Sequence, residues 1–63
     1  MPKPLTLEIP GDVADALPLP ELEKVQRIRL ELAVSLYSQG MLGLGKTAQL
    51  AGVSREEMNR ILV

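Results

Sequence analysis

The spacing of apolar residues changes character along the chain, and each change marks an element. In "LTLEI", Leu5, Leu7 and Ile9 alternate with Thr6 and Glu8, which predicts a half-buried β-strand ended by Pro10-Gly11. A lone strand leaves donors and acceptors unpaired on both edges. The expected partner is the same strand of a second copy, paired antiparallel about a two-fold axis; the alternative is an extended arm lying on the helices. "DVADAL" follows as a short turn of helix with Asp12 as its N-cap, broken by Pro18 and Pro20.

The period then becomes helical. A long helix is expected from about Pro20 to Gln39, with Glu21 and Glu23 suited to its first turn and Gly40 as a left-handed C-cap. Its apolar residues, from Leu22 and Val25 through Ile28, Leu32 and Ala33 to Leu36 and Tyr37, sweep around much of the circumference. Lys24, Arg27, Glu31 and Ser38 are left on a polar strip. Such a helix is central, with neighbours on two or more sides. Leu5, Leu7, Ile9, Leu22, Val25 and Leu36 are accordingly the candidates for a dimer contact.

"GMLGLGKT", Gly40 to Thr47, matches the phosphate-loop pattern G-x-x-x-x-G-K-[ST]. That loop needs a strand before it and a long helix after it, so that backbone N–H groups cradle phosphate and the Ser/Thr reaches Mg2+. Here a long helix precedes it, and the following one can run only to Gly52. The glycines read better as a joint. "KTAQLAGVSREEMNRIL" then forms two short helices with a tight turn at Gly52-Val53, Ser54 as N-cap of the second, and Glu57 closing a capping box. Thr47, Ala51, Val53, Met58 and Ile61 are expected to face the shared core, with Ala48 small enough for close approach. The fold class is therefore mainly α: a short N-terminal β-strand or arm over residues 1–11, a short helix plus long central helix over 12–39, and a helix-turn-helix over 44–62, all in one domain of 63 residues.

Composition narrows the chemistry. The chain has no Cys and no His, which removes disulfides, thiolate and imidazole metal ligands and the usual general base. No metal or cofactor is expected, and Glu8, Asp12, Asp15 and Tyr37 form no recognisable catalytic set. The expectation is a protein that is not an enzyme. Apolar residues make up 46% of the sequence, and seven Lys and Arg stand against eight Asp and Glu, so the chain is neither disordered nor strongly charged. With no apparent signal peptide or membrane span, a cytoplasmic location is expected. A unit this small buries only about 60% of its unfolded surface. An oligomer is expected to supply the remainder.

From about Leu30 to Leu62 the sequence resembles uncharacterised protein family 0175, small prokaryotic proteins regarded as antitoxins with a helix-turn-helix segment. The resemblance lies in Leu32, Ala33, Leu36 and Tyr37, then Gly40, Leu44, Gly45, Lys46, Ala48, Leu50, Ala51, Gly52, Ser54, Arg55 and Glu57. "LTLEIPGDVADAL" is similar to that family's opening strand and helix. The resemblance implies a partner, commonly a PIN-domain ribonuclease toxin, in a type II toxin-antitoxin pair. Met41 and Leu42 stand where the family's joint is more polar, and the chain stops at Val63 where relatives carry a further tail.

A helix-turn-helix docks by presenting the N-terminal residues of its second helix to base edges, here Ser54, Arg55, Asn59 and Arg60, while Lys46 touches phosphate. Arg reads guanine and Asn reads adenine through paired hydrogen bonds. Glu56 and Glu57 oppose this, leaving residues 40–63 only three cations, Lys46, Arg55 and Arg60, against those two anions. Double-stranded DNA is thus one expected partner, read by a dimer that regulates transcription. The alternative is a protein-interaction or oligomerisation module that binds no DNA.

Overall fold

A computed structural model describes residues 3–63. The order is α1 (Gly11–Ala16), α2 (Glu21–Ser38), α3 (Leu44–Ala51) and α4 (Arg55–Leu62). No strand occurs among the described residues, so the expected mixed architecture is corrected to an all-α one. The segment Leu5 to Ile9 runs irregularly and exposed, and the inter-subunit strand pairing falls with it. The physical reason is local. The described chain contains no second strand, and Pro10, fixed at φ −54° and ψ 141°, delivers the backbone directly into α1. Met1 and Pro2 of the expected 1–11 arm lie outside the described residues.

Pro10, rather than Asp12, is the N-cap of α1, and its carbonyl accepts from the amides of Val13 at 3.0 Å and Ala14 at 2.9 Å. Asp12 falls in the first turn instead, where its charge suits the helix dipole. α1 buries no residue. Pro20 similarly stands just outside α2 as its N-cap.

The connections after α2 and α3 use one device. At the end of α2, the Met41 amide donates to the Leu36 carbonyl at 2.9 Å and the Gly40 amide to Tyr37 at 3.0 Å, with Gly40 at φ +76°. At the end of α3, Val53 donates to Ala48 at 3.0 Å and Gly52 to Gln49 at 3.2 Å, with Gly52 at φ +74°. These are paired six-to-one and five-to-two Schellman bonds, which require a left-handed residue and favour glycine there. Gly52 thus turns the chain within three residues into α4. Ser54 caps that helix, its Oγ accepting from the Glu57 amide at 3.1 Å. The reciprocal half of the expected capping box is replaced by an ion pair, because the Glu57 carboxylate accepts from Arg60 Nε at 3.0 Å.

The core is small. Ala33 of α2, Ala48 and Ala51 of α3 and Met58 of α4 are buried together, with Leu30, Leu44, Leu50, Val53 and Leu62 packed around them. Three alanines let the helices approach closely, and Met58, with no solvent exposure, fills the space between them. Thr47 is equally buried, as expected. Val53 is half-buried, whereas Ile61 is exposed and Leu62 occupies the inward position.

α2 is less enclosed than its composition suggests. Ala33 and Lys24 are buried in it, while Leu22 and Val25 are 97% and 68% exposed. Lys24, expected on the polar strip, is instead covered along its stem, and its Nζ donates to the exposed Glu21 carboxylate, to Oε1 at 2.7 Å. The chain exposes 5278 Å² in all. A compact monomer of 6.9 kDa exposes about 4,000 Å². Its radius of gyration of 12.7 Å likewise exceeds the roughly 11 Å expected for this length.

Candidate functional site

Two surfaces can carry function: the short helices α3 and α4 with their turn, and the apolar surface left open by the N-terminal region and α2.

The N-cap of α3 is Gly43, which has no side chain to cap the free N–H groups of the first turn, and no acid stands there. Lys46 lies in that turn and is exposed. Arg55, the first residue of α4, reaches back over it, so that a Cβ placed on Gly45 would lie 3.7 Å from Arg55 Nε. The fold therefore brings Arg55 to the start of α3, beside the residue preceding Lys46. Asn59 is exposed one turn along α4. The other two candidates are less free. Ser54 already uses its hydroxyl oxygen as the helix cap, and Arg60 is paired with Glu57.

The phosphate-loop match finds no supporting geometry. Its Thr47 is fully buried, and its hydroxyl donates to the Gly43 carbonyl at 2.8 Å, a local helix bond that keeps the oxygen from any phosphate-bound metal. Gly40 closes α2 and Gly43 opens α3. The glycines serve helix ends.

What positions α3 and its turn is a pair of side chains that periodicity alone does not single out. Schellman bonding leaves the Leu50 and Ala51 carbonyls at the negative end of α3 without intrahelical partners. Arg29 Nε donates to Leu50 at 2.9 Å and Gln26 Nε2 donates to Ala51 at 2.7 Å, both from α2. The Arg29 guanidinium also lies 3.7 Å from where a Gly52 Cβ would be. Residues 26 and 29 stand three apart, on the side of α2 that carries Ala33 and Leu30. A polar pair beside a buried alanine is the available signal, and in sequence it looks the same as a solvated face.

On the second surface, Leu5 is 96% and Leu7 66% exposed, Ile9 borders on half-buried, and Leu36 is half-buried. With Leu22 and Val25, five of the six dimer candidates thus lie open to solvent. Two shallow clefts flank α2. One, of about 350 Å³, is lined by Leu19, Leu22, Glu23, Gln26, Arg27 and Leu30. The other, of about 420 Å³, is lined by Leu17, Leu19, Arg27, Ile28, Glu31 and Leu32. No helix among the described residues is long and apolar enough to cross a membrane.

Four helices among the described residues, a core of three alanines around one methionine, and more apolar surface than that core can use define a small all-α protein. The chain belongs to the Uncharacterised protein family (UPF0175), whose model matches residues 1–63. A relative described as a UPF0175 protein, from Aeropyrum pernix, is 35% identical over 51 residues, 81% of this chain and 57% of that relative. The chain thus spans little more than half the length of the curated relative it matches. No solved structure matches it.

Proposed function

We propose that this chain is a non-catalytic protein-interaction module that completes its burial against other chains, first of all against a second copy of itself. The observation that carries this reading is its surplus of surface. The 5278 Å² it exposes is about 1,300 Å² more than a compact monomer of its mass would. Much of that surplus is aliphatic: Leu5, Leu7, Leu22 and Val25 are each more exposed than buried. A standard interface removes about 800 Å² from each partner. The family resemblance adds a PIN-domain ribonuclease as a candidate second partner. Sedimentation equilibrium of the native chain at high micromolar concentration is the test. A mass of at least two chains is expected, and a 6.9 kDa species alone overturns the reading.

A second reading is favoured by one observation, the meeting of Arg55 with the uncapped start of α3 that bears Lys46. In it, residues 44–62 act as a helix-turn-helix, and the dimer regulates the DNA upstream of its own gene as an antitoxin. Arg55→Ala should then lose roughly 1 to 3 kcal/mol of discrimination at one base pair. Lys46→Ala should weaken binding to every duplex alike and reduce the salt slope by up to about one phosphate. Titration against native and scrambled duplexes at two salt concentrations decides it. Equal affinity for both removes sequence-specific reading, and no affinity at low salt leaves the interaction module alone.

A further inference from the structure

We propose that the cleft lined by Leu17, Leu19, Ile28 and Leu32 is the docking groove for the N-terminal arm of a second copy, with Leu5 and Leu7 the side chains that enter it. This inference rests on the interaction-module reading and names the contact through which self-association occurs. It involves no sheet: the arm docks by its side chains on helices.

Three observations select this occupant. The groove, about 420 Å³ in volume, is walled by four aliphatic side chains, with the Arg27–Glu31 pair, 3.0 Å apart, along one side. Its own arm does not fill it, since Leu5 and Leu7 stand 96% and 66% exposed on a segment with no regular structure. Each copy therefore carries both an unfilled apolar groove and an unplaced apolar arm, which is the self-complementarity that a two-fold contact requires. Made twice in a dimer, the exchange covers both at once.

Shape and charge agree. In an extended arm, side chains two residues apart point the same way and sit roughly 6.6 Å from each other. Leu5 and Leu7 thereby enter side by side while Thr6 and Glu8 face water. A formal charge of −1 leaves two copies with little mutual repulsion. The surplus of about 1,300 Å² per chain also exceeds the roughly 800 Å² that a standard interface takes from each partner. Two exchanged arms with the adjoining α2 surface can supply an interface of that size.

The absence of native cysteine makes a direct test possible in the full chain. Leu7→Cys chains are mixed with Leu32→Cys chains under mild oxidation, with a Leu7→Cys and Lys46→Cys mixture as the control. Leu7 and Leu32 are both exposed in the single chain, so neither change removes core. Rapid heterodisulfide formation in the first mixture and slow formation in the second is expected. Equal rates in the two mixtures overturn the proposal. In parallel, Leu7→Ala should weaken the dimer about a hundredfold, because two leucines leave the interface together. A native dimer whose Kd is unchanged by Leu7→Ala overturns the arm-and-groove contact while leaving the module reading intact. A native chain that stays monomeric removes both.

Discussion

Between Lys3 and Pro20 no side chain is buried, whereas the stretch from α2 to α4 holds Ala33, Thr47, Ala48, Ala51 and Met58, all almost wholly removed from solvent. Both regions are rich in aliphatic residues. What separates them is hydrogen-bond closure. The C-terminal region ends two helices with left-handed glycines, caps a third with Ser54, and satisfies its remaining α3 carbonyls from Arg29 and Gln26. The N-terminal region has one six-residue helix that buries no residue, and its Leu5 and Leu7 stand open to solvent. Three alanines and a methionine bury little area, so polar closure fixes the arrangement of α3 and α4 as much as apolar mass does. The two regions divide the work: one is structured within the chain, and the other presents surface.

Met58→Ala should break this comparison most severely. It empties the largest fully buried side chain of a core with few others, a change that costs about 2 to 5 kcal/mol. A domain of this size has little more than that in reserve. Urea denaturation followed by far-ultraviolet circular dichroism should find Met58→Ala largely unfolded at 25 °C. Leu5→Ala, in the other region, should leave the dilute chain unchanged within about 0.5 kcal/mol. Equal losses from the two would mean that the N-terminal region folds onto the core.

A subtler test concerns the turn. Gly52→Ala places an L residue at φ +74°, which costs about 1 to 2 kcal/mol from backbone strain, since the added Cβ meets the Arg29 guanidinium only at an ordinary 3.7 Å. Gly43→Ala, at φ −79° with open space around it, should cost under about 0.5 kcal/mol. The difference in urea midpoint between these two variants measures how far closure of the turn holds α4 in place. No difference would show that the left-handed geometry carries no strain for alanine here.

The turn also illustrates what was legible in the sequence. Gly40, Gly52 and Ser54 declare their roles because backbone sterics and capping act within a few residues of chain. The alternation of Leu5, Leu7 and Ile9 was misleading for the complementary reason: a period of two reports a strand only where something pairs with it. The apolar spread of α2 is similarly ambiguous, because residues that meet α3 and residues that remain open look alike in one dimension. Gln26 and Arg29 were missed because their partners, the Ala51 and Leu50 carbonyls, lie 25 and 21 residues away. Arg55, Lys46 and Asn59 were legible as an exposed polar set, but the pairing of Arg60 with Glu57 depends on side-chain positions that spacing leaves open.

That pair gives the smallest expected change in stability and a sharp reading of the DNA alternative. Both side chains of the Arg60–Glu57 bridge are substantially exposed, at 73% and 45%, so losing it should cost no more than about 0.5 kcal/mol. Glu57→Gln removes the carboxylate while leaving the backbone N–H that bonds to Ser54 in place. If α4 lies against DNA, the change frees the Arg60 guanidinium and deletes one of the two anions on that face. Affinity should then rise, and the slope of log K against log salt should steepen by up to about one phosphate. Glu31→Gln, which releases Arg27 on α2 from a bridge of similar exposure, should leave the slope unchanged. If Glu57→Gln leaves both affinity and slope as they were, α4 does not face the nucleic acid and the polar face of the C-terminal region is a solvated surface. If both variants steepen the slope alike, binding follows overall charge rather than the face that Arg55 and Lys46 share.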